Sequence, residues 1–234
     1  MSSILINLQA VRQQIVHAAH LADRSFTEIA LLAVSKNFDA EAVIEAARAG
    51  QHAFGENYVQ EAVDKMSTIA RIAPDLKLEW HFIGPIQSNK TRLIAEHFAW
   101  VHSVDRLKIA QRLSEQRPAH LGPLNICLQI NISEEETKSG ISVTQTTELA
   151  RQIAALPGLR LRGLMAIPQP TDNVERQRAA FRHIGEVLKQ LNQQGMNLDT
   201  LSMGMSADLE SAIIEGSTIV RIGTAIFGKR NYAQ

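Results

Sequence analysis

The apolar run Ile29-Ala30-Leu31-Leu32-Ala33-Val34-Ser35 ends on a lysine, Lys36, and gives the clearest indication of the fold. The run has no polar alternation, which is typical of a strand buried on both faces of a parallel sheet. We therefore predict Lys36 at the carboxyl end of that strand, between a dry core and a loop. Burial there favours the uncharged amine, the form that attacks an aldehyde. The plainer alternative is a lysine whose stem packs while its ammonium reaches water.

The rest of the chain alternates short apolar stretches with helical patterns. Strands are predicted near residues 29–35, 51–54, 79–83, 99–103, 124–131, 159–166, 198–202 and 218–222. Helices are predicted near residues 39–49, 57–70, 88–97, 105–116, 142–155, 172–193 and 206–215, with Asp39 and Asp105 as N-caps and Gly50 and Gly195 after helix ends. An additional first helix has its apolar positions on one face, at Ile4, Leu8, Val11 and Ile15.

This alternation predicts an α/β protein, a single-domain (β/α)8 TIM barrel over residues 1–234 with an extra N-terminal helix. An open doubly wound sheet is the competing architecture. It would call for a glycine-rich turn directly after the first strand, yet Ser35-Lys36-Asn37-Phe38 stands there. The sequence therefore favours the closed barrel.

Composition excludes several classes of function. The 24 Lys and Arg residues balance 24 Asp and Glu residues. No stretch concentrates basic residues with interleaved aromatics, so nucleic-acid binding is not predicted. The single Cys127 cannot form an internal disulfide, and no apolar run reaches membrane-spanning length. The histidines show no metal-ligand spacing with Cys or carboxylates, so no metal is predicted. We expect a cytoplasmic protein with no membrane partner.

Informative polar residues gather just after the predicted strands, where barrel enzymes build their sites. The two richest segments follow the seventh and eighth strands: Ser202-Met203-Gly204-Met205-Ser206 and Arg221-Ile222-Gly223-Thr224. Small residues that admit backbone amides, together with hydroxyl donors, suit a phosphate group. Taken singly, the glycines are also explained as turn residues and Ser206 as a helix N-cap. Asp208 and Glu210 would repel a phosphate unless they point away from it.

Arg221 is an unusual charge at the end of a core strand, and a buried guanidinium needs a partner. Two alternatives remain open: an ion pair with Glu215 or Glu210, or a ligand in the barrel mouth. An aldehyde-reactive Lys36, a phosphate cradle and this cation together describe pyridoxal 5′-phosphate (PLP). An arginine at the pyridine nitrogen would disfavour its protonation and make the cofactor a weak electron sink.

The chain resembles, nearly end to end, the pyridoxal-phosphate homeostasis proteins, whose barrel is similar to the N-terminal domain of alanine racemase. The resemblance is carried by residues 33–36, 54–61, 80–90, 138–140, 162–168, 201–206 and 220–228. It implies that Lys36 forms the internal aldimine and that Arg221 faces the pyridine nitrogen. It also implies that Asn57 lies beside the cofactor and that the phosphate is held by Ser202, Gly204, Ser206, Gly223 and Thr224. The sequence departs from many relatives at Asn37-Phe38, which leaves the shape of the first loop undecided.

The resemblance implies a regulator of vitamin B6 balance without established turnover, and the residues give their own reason to doubt catalysis. A racemase needs acid-base groups on both faces of the cofactor, and the only tyrosines are Tyr58 and Tyr232. We therefore predict a monomeric PLP carrier or buffer that supplies PLP-dependent apoenzymes. The alternative is a small racemase or lyase that uses Lys36 alone or with His81. Lys138, in the acidic loop Glu134 to Gly140, is a candidate for cofactor handover, and that loop is also the candidate for a protein-interaction role.

Overall fold

Eight parallel strands form a closed barrel in sequence order in the computed structural model, which describes residues 3–132 and 140–228. The strands are β1 (Ala30–Val34), β2 (Ala53–Glu56), β3 (Glu79–Phe82), β4 (Trp100–Val104), β5 (Leu124–Ile130), β6 (Leu159–Ala166), β7 (Thr200–Ser202) and β8 (Ile219–Ile222). The α-helices are α1 (Ser3–Leu21), α2 (Ala40–Arg48), α3 (Val59–Ile72), α4 (Thr91–His97), α5 (Leu107–Gln116), α6 (Val143–Ala154), α7 (Val174–Gln193), α8 (Leu209–Ile214) and α9 (Thr224–Phe227). The predicted TIM barrel with an N-terminal helix is confirmed.

The barrel closes between β1 and β8, where Leu32 lies opposite Arg221. On its other edge β1 pairs with β2, where Val34 lies opposite Gly55. Because every pairing is parallel, the carboxyl ends of all the strands meet at one rim. The segments after β1, β2, β7 and β8 therefore lie around a common mouth.

Apolar side chains pack in two layers. A large cluster fills the space between the barrel and its helices and includes Phe54, Phe82 and Phe181. A smaller cluster packs inside the barrel and consists of Leu32, Trp100, Cys127, Met165 and Ile219. The interior also holds buried polar side chains, among them His81, His102, Ser202 and Arg221.

Helix α1 lies outside the barrel repeat and packs against α8 and α9. Its predicted apolar face is buried, at Ile4, Leu8, Val11 and Ile15. The Asn7 side chain donates to the carbonyl oxygen of Ile226 at 2.9 Å, and Arg12 donates to the carbonyls of Ala49 and Gly50. These bonds tie α1 to the ends of α2 and α9, so the extra helix is fixed to the barrel.

Strand β2 begins later than predicted, at Ala53 rather than at residue 51. The Gln51 side chain instead donates to the carbonyls of Leu31 in β1 and Ala53 in β2, so it bridges the two strands. Gly55 and Glu56 belong to β2, whereas the sequence pattern had assigned them to the following loop. Glu56 is fully buried.

Several helix starts also differ from the prediction. Asp39 caps α2 as predicted, but Arg106 rather than Asp105 occupies the N-cap of α5, and Asp105 accepts a hydrogen bond from the Arg106 side chain. Helix α8 begins at Leu209 with Asp208 at its N-cap, so Ser206 is not a helix cap. The α9 turn was not predicted, because four residues give no apolar periodicity.

None of the helices within the described ranges combines the length and apolar character that crossing a bilayer requires. The same ranges contain no group of three or more His, Cys, Asp or Glu side chains arranged to hold a metal ion.

Candidate functional site

A cavity of about 300 Å³ opens at the carboxyl-terminal rim of the barrel. It is lined by Val34, Lys36, Phe38, Asn57, Ile83, Ile167, Met205, Ser206, Arg221, Gly223 and Thr224. This lining includes most of the residues singled out from the sequence. Ser202 and Gly204 are the exceptions, and both lie buried behind the cavity wall. A volume of this size and a largely apolar lining with a few polar groups are typical of small-molecule sites.

The residues on both sides of Lys36 donate hydrogen bonds to two neighbouring carboxylates. The Ser35 hydroxyl donates to Glu56 Oε1 at 2.7 Å, and the Asn37 amide donates to Glu61 Oε1 at 2.7 Å. Asn37 adopts a left-handed conformation with φ of 64°, which asparagine tolerates better than most residues. Lys36, itself half-buried, is thus presented to the cavity from a fixed turn.

Lys65, which the sequence analysis missed, completes this support. Its ammonium lies 2.7 Å from Glu56 Oε1 and 3.2 Å from Glu61 Oε1, and it also donates to the Ser35 carbonyl at 2.8 Å. Burial raises the pKa of Glu56, and the charge of Lys65 and hydrogen bonds from Lys65 and Ser35 oppose that rise. The pair joins β2 and α3 directly beneath Lys36. A sequence signal existed, because Lys65 falls on the buried face of α3 with Val59, Ala62 and Ile69.

Arg221 is buried in the wall of the cavity, and its guanidinium donates to the protein on one side only. Nη1 donates to both the carbonyl and the hydroxyl of Ser202, and Nη2 donates to the Ala166 carbonyl at 3.0 Å. A guanidinium has five N–H donors. The two that remain have no hydrogen-bond partner in residues 3–132 and 140–228. Burial lowers the pKa of Arg221 to about 10, so the group stays charged at neutral pH.

The alternative prediction for Arg221, an ion pair with Glu215 or Glu210, was wrong. Glu215 pairs with two arginines of α7, at 2.7 Å from Arg178 Nε and 2.9 Å from Arg182 Nη2. Glu210 lies on a separate surface pocket formed with α1. Neither carboxylate is an ion-pair partner of Arg221, which leaves the cavity as the place where its remaining donors can be used.

The two loops predicted to hold a phosphate differ in what they offer. Ser206, Gly223 and Thr224 line the cavity. Gly204 does not, but it has φ of +96°, and a Cβ there would lie 2.5 Å from the Cβ of Ala212, so it shapes the loop that carries Ser206. The Ser202 hydroxyl already has two partners, Arg221 Nη1 at 2.8 Å and His102 Nδ1 at 2.7 Å. We therefore reassign Ser202 from phosphate contact to support of Arg221.

Asp208 and Glu210 are the acidic residues near these loops, and Asp208 is hydrogen-bonded to the backbone. Asp208 Oδ1 accepts from the Met205 amide at 2.6 Å, and its pKa is raised by burial. Neither Asp208 nor Glu210 is among the residues that line the cavity. The charge of Asp208 nevertheless acts on the lining residue Arg221, whose pKa it raises against the effect of burial.

Asn57 is one of the residues that line the cavity, and its side chain carries an unsatisfied polar atom. Its Oδ1 is buried and has no hydrogen-bond partner in the described part of the chain. Its backbone is packed so closely against the segment after β3 that a Cβ on Gly84 would lie 2.2 Å from the Asn57 carbonyl oxygen. An unpartnered buried acceptor is costly unless a ligand or water meets it. The residues present therefore fit a bound polar group.

Apolar side chains form the rest of the lining and were not predicted. Phe38 stacks on Phe227 with ring centroids 4.9 Å apart, which holds the loop after Lys36 against α9. Ile83, Ile167 and Met205 add apolar surface suited to an aromatic ring. Their positions just after strands were the available signal, but apolar loop residues do not stand out in a sequence.

His81, the alternative acid-base residue, does not line the cavity. It is buried in the barrel interior, where its Nδ1 lies 2.9 Å from His102 Nε2 and its Nε2 lies 2.8 Å from Glu79 Oε1. Tyr58 is exposed at the N-cap of α3. Tyr232 and Lys138, with most of the acidic loop, lie outside the described residues.

The fold and the site define a class of protein. Residues 6–231 match the family model described as "Alanine racemase, N-terminal domain". The structure of alanine racemase from Corynebacterium glutamicum has the same fold, with a TM-score of 0.69 at 18% identity over 99% of this chain and 62% of that one. The chain is thus a barrel of the alanine racemase type.

Closer relatives identify the family. The chain is 60% identical over 232 residues to the pyridoxal phosphate homeostasis protein of Pseudomonas aeruginosa, covering 99% of this chain and 98% of that one. It is 55% identical to that of Escherichia coli K12, over the whole of both chains. The structure of PipY from Synechococcus elongatus with PLP bound has a TM-score of 0.83 at 35% identity, over 96% of this chain and 100% of that one. The chain belongs to the pyridoxal phosphate homeostasis protein family, whose curated relatives are named as homeostasis proteins and not as enzymes.

Proposed function

We propose that this protein binds PLP in the barrel mouth and acts in vitamin B6 homeostasis as a carrier or buffer of the cofactor. The observation that carries the proposal is the convergence of Lys36, Arg221 and Asn57 on one cavity, where Arg221 has unused donors and Asn57 has an acceptor without a partner among the described residues. Family membership and the PLP-bound PipY structure support the same ligand.

Each part of the cavity suits one part of the cofactor. Lys36 holds the aldehyde covalently as a Schiff base, and Arg221 donates to the pyridine nitrogen. Ser206, Gly223 and Thr224 bind the phosphate through hydroxyl and backbone donors, while Gly204 shapes the loop that presents Ser206. Asn57 contributes a polar contact beside the ring. PLP supplies an electrophilic aldehyde and an electron-accepting ring when bound.

The described residues that line the cavity do not include the acid-base pair that amino-acid racemisation needs. Among the described lining residues, Lys36 is the one side chain suited to proton transfer near neutral pH. His81 is hydrogen-bonded in the barrel interior. A pyridine ring whose nitrogen accepts a hydrogen bond from an arginine is a weak electron sink. These features support storage and exchange of the cofactor, with PLP-dependent apoenzymes as recipients, over turnover. We further propose that the protein is a cytoplasmic monomer. Light scattering would test the oligomeric state.

Absorbance and transfer measurements test this proposal. Apoprotein mixed with PLP is expected to develop the visible band of a Schiff base, which Lys36→Ala abolishes and the exposed-site control Lys108→Ala retains. The loaded protein should reactivate a PLP-dependent apoenzyme. Incubation with single enantiomers of several amino acids should produce neither the mirror form nor a keto acid faster than free PLP does. Turnover above that level would establish the racemase or lyase alternative, and a missing band would exclude the site itself.

A further inference from the structure

A continuous line of hydrogen-bonded side chains runs through the barrel interior from Glu79 to Arg221. Glu79 Oε1 lies 2.8 Å from His81 Nε2, and His81 Nδ1 lies 2.9 Å from His102 Nε2. His102 Nδ1 lies 2.7 Å from Ser202 Oγ, which accepts from Arg221 Nη1 at 2.8 Å. We call these residues the interior chain: Glu79, His81, His102, Ser202 and Arg221.

The donors and acceptors of the interior chain can be assigned, because its two ends are fixed. The hydrogen bond from His81 lowers the pKa of Glu79, so Glu79 is a carboxylate that accepts from His81 Nε2. Burial lowers the pKa of both imidazoles, which are therefore neutral and carry one proton each. His81 Nδ1 must then accept from His102 Nε2, and His102 Nδ1 must accept from the Ser202 hydroxyl. Every bond in the interior chain donates toward Glu79.

The interior chain connects the two ends of the barrel. Glu79 is the first residue of β3 and its side chain is half-exposed, whereas the other four residues are buried. His81 is also fixed by a parallel stack on Trp100, with centroids 5.4 Å apart. Buried polar groups are expensive unless they are satisfied, and in the interior chain all four imidazole nitrogens and the Ser202 hydroxyl have partners. The arrangement is thus specific, and its mouth end is a residue of the proposed cofactor site.

The direction of the bonds matters for Arg221. Ser202 Oγ accepts from the guanidinium while its own hydrogen is given to His102, so the hydroxyl cannot turn its hydrogen toward Arg221. With Nη1 held by Ser202 and Nη2 by Ala166, the orientation of the guanidinium is set by the protein. A fixed donor competes against protonation of an acceptor that it faces, because a protonated nitrogen could no longer accept.

We propose that His102 and His81 are positioning residues for PLP: through Ser202 they hold Arg221 as a donor to the pyridine nitrogen and keep that nitrogen unprotonated. This inference rests on the proposed function, since the nitrogen belongs to the cofactor. It assigns a role to polar side chains that touch neither the cavity nor the reacting aldehyde. Glu79 anchors the direction of the interior chain from the opposite rim of the barrel.

The test compares variants that break the interior chain with variants that preserve it. His102→Leu removes the acceptor for the Ser202 hydroxyl, and Ser202→Ala breaks the same link from the other side. His102→Asn offers an amide oxygen near the position of Nδ1 and serves as the conservative rescue. Met165→Leu, in the same interior layer but outside the interior chain, controls for packing. Circular dichroism and thermal unfolding establish that each variant is folded.

The readout is the nitrogen-15 chemical shift of ring-labelled PLP bound to each protein, together with its dissociation constant. We expect the wild type, His102→Asn and Met165→Leu to show an unprotonated ring nitrogen. His102→Leu and Ser202→Ala should move the resonance toward the protonated value and weaken binding about tenfold, as loss of one charge-assisted hydrogen bond predicts. Unchanged shifts in both folded variants would overturn the inference while leaving PLP binding intact.

A second measurement uses the wild type alone and does not depend on variant folding. Imidazole nitrogen-15 shifts should identify both His81 and His102 as neutral rings protonated at Nε2. Protonation at Nδ1, or a charged ring at neutral pH, would contradict the assigned direction and overturn the inference. If the wild type binds no PLP at all, the proposed function fails and this inference fails with it, an outcome distinct from the other two.

Discussion

The Lys65 ammonium lies 2.7 Å from Glu56 Oε1, and the two side chains are 4% and 0% exposed, respectively. Both also contact Ser35, the residue that precedes Lys36. A buried ion pair therefore fixes the strand end that presents the proposed cofactor lysine. Such a pair contributes little net stability by its attraction, because both charges lose water, but breaking it leaves one charge buried alone.

Lys65→Met should destabilise the protein by about 3–5 kcal/mol, because Glu56 remains buried without its counter-charge. Urea unfolding of the apoprotein measures the effect. Adding Glu56→Gln to Lys65→Met should recover part of the loss by removing the stranded charge. The matched control is Arg48→Ala, which breaks an exposed pair with Asp75 and should leave stability nearly unchanged. Equal effects of Lys65→Met and Arg48→Ala would show that the buried pair carries no special cost.

Stability should fall in mild acid because of the interior histidines. Burial holds the pKa of His81 and His102 below the ordinary value of 6.5, and His102 also faces His81 and Arg221, while His81 faces Glu79. Below pH 6.5 the unfolded chain binds protons that the native rings do not, so stability falls as pH falls, by up to about 1.4 kcal/mol per pH unit for each proton.

Unfolding free energies measured between about pH 5 and pH 8 test this dependence. His102→Leu should flatten the slope below pH 6.5 relative to the wild type. Met165→Leu, which changes the same interior layer without removing a titratable group, should leave the slope as it is. Parallel curves for His102→Leu and the wild type would mean that folding does not lower the pKa of His102.

Asn37→Thr should destabilise the turn after Lys36 by about 1–2 kcal/mol, because a β-branched residue is strained at the left-handed φ of 64°. Asn37→Gly, which accepts this conformation without strain, is the control and should cost much less. Thermal unfolding distinguishes the two. If threonine is accommodated as easily as glycine, the backbone of the turn differs from the structure.

Gly84→Ala should lower both stability and PLP affinity. The added Cβ would lie 2.2 Å from the Asn57 carbonyl oxygen and 2.7 Å from its Cα, so the Asn57 backbone must shift. Gly185→Ala is a matched control within helix α7, where the nearest atom would be 3.7 Å away. It should stabilise the protein by about 0.5–1 kcal/mol through helix propensity. A Gly84→Ala protein that binds PLP normally would contradict the close packing of Asn57.

Asn57→Ala should separate binding from stability. The Oδ1 atom is buried without a partner in the described chain, so its removal should leave the apoprotein as stable as before or slightly more so. PLP affinity should fall about tenfold, because the ligand loses a polar contact. Thermal unfolding with and without PLP gives both values. Loss of apoprotein stability with unchanged affinity would assign Asn57 a structural role instead.

The barrel was predictable because strand and helix patterns alternate along the whole chain, and because the run that ends at Lys36 reads as a strand buried on both faces. The mouth residues Lys36, Asn57, Arg221 and Thr224 were predictable for a related reason: parallel strands bring the segments that follow them to one rim. Strand and helix boundaries were less certain. Gln51 precedes β2 and donates from its side chain to the Leu31 and Ala53 carbonyls, and no local sequence pattern indicates such a contact.

The interior chain could not be derived from the sequence. Whether His81, His102 and Ser202 face the inside of the barrel depends on strand register, and a shift of one residue reverses the side. The partner of Arg221 posed the same difficulty, since Glu215 is near in sequence but is engaged by α7. Buried polar residues within strand patterns were the available signal, and only the assembled barrel joins them.

The most direct test of the central claim is borohydride reduction of the PLP-loaded protein followed by peptide mass spectrometry. Reduction converts a Schiff base into a stable secondary amine, so the modified residue can be located. We expect one pyridoxyl group per chain on the peptide that contains Lys36 in the wild type, and none on the corresponding peptide of Lys36→Ala. A fully loaded wild type without a tag on Lys36 would contradict it.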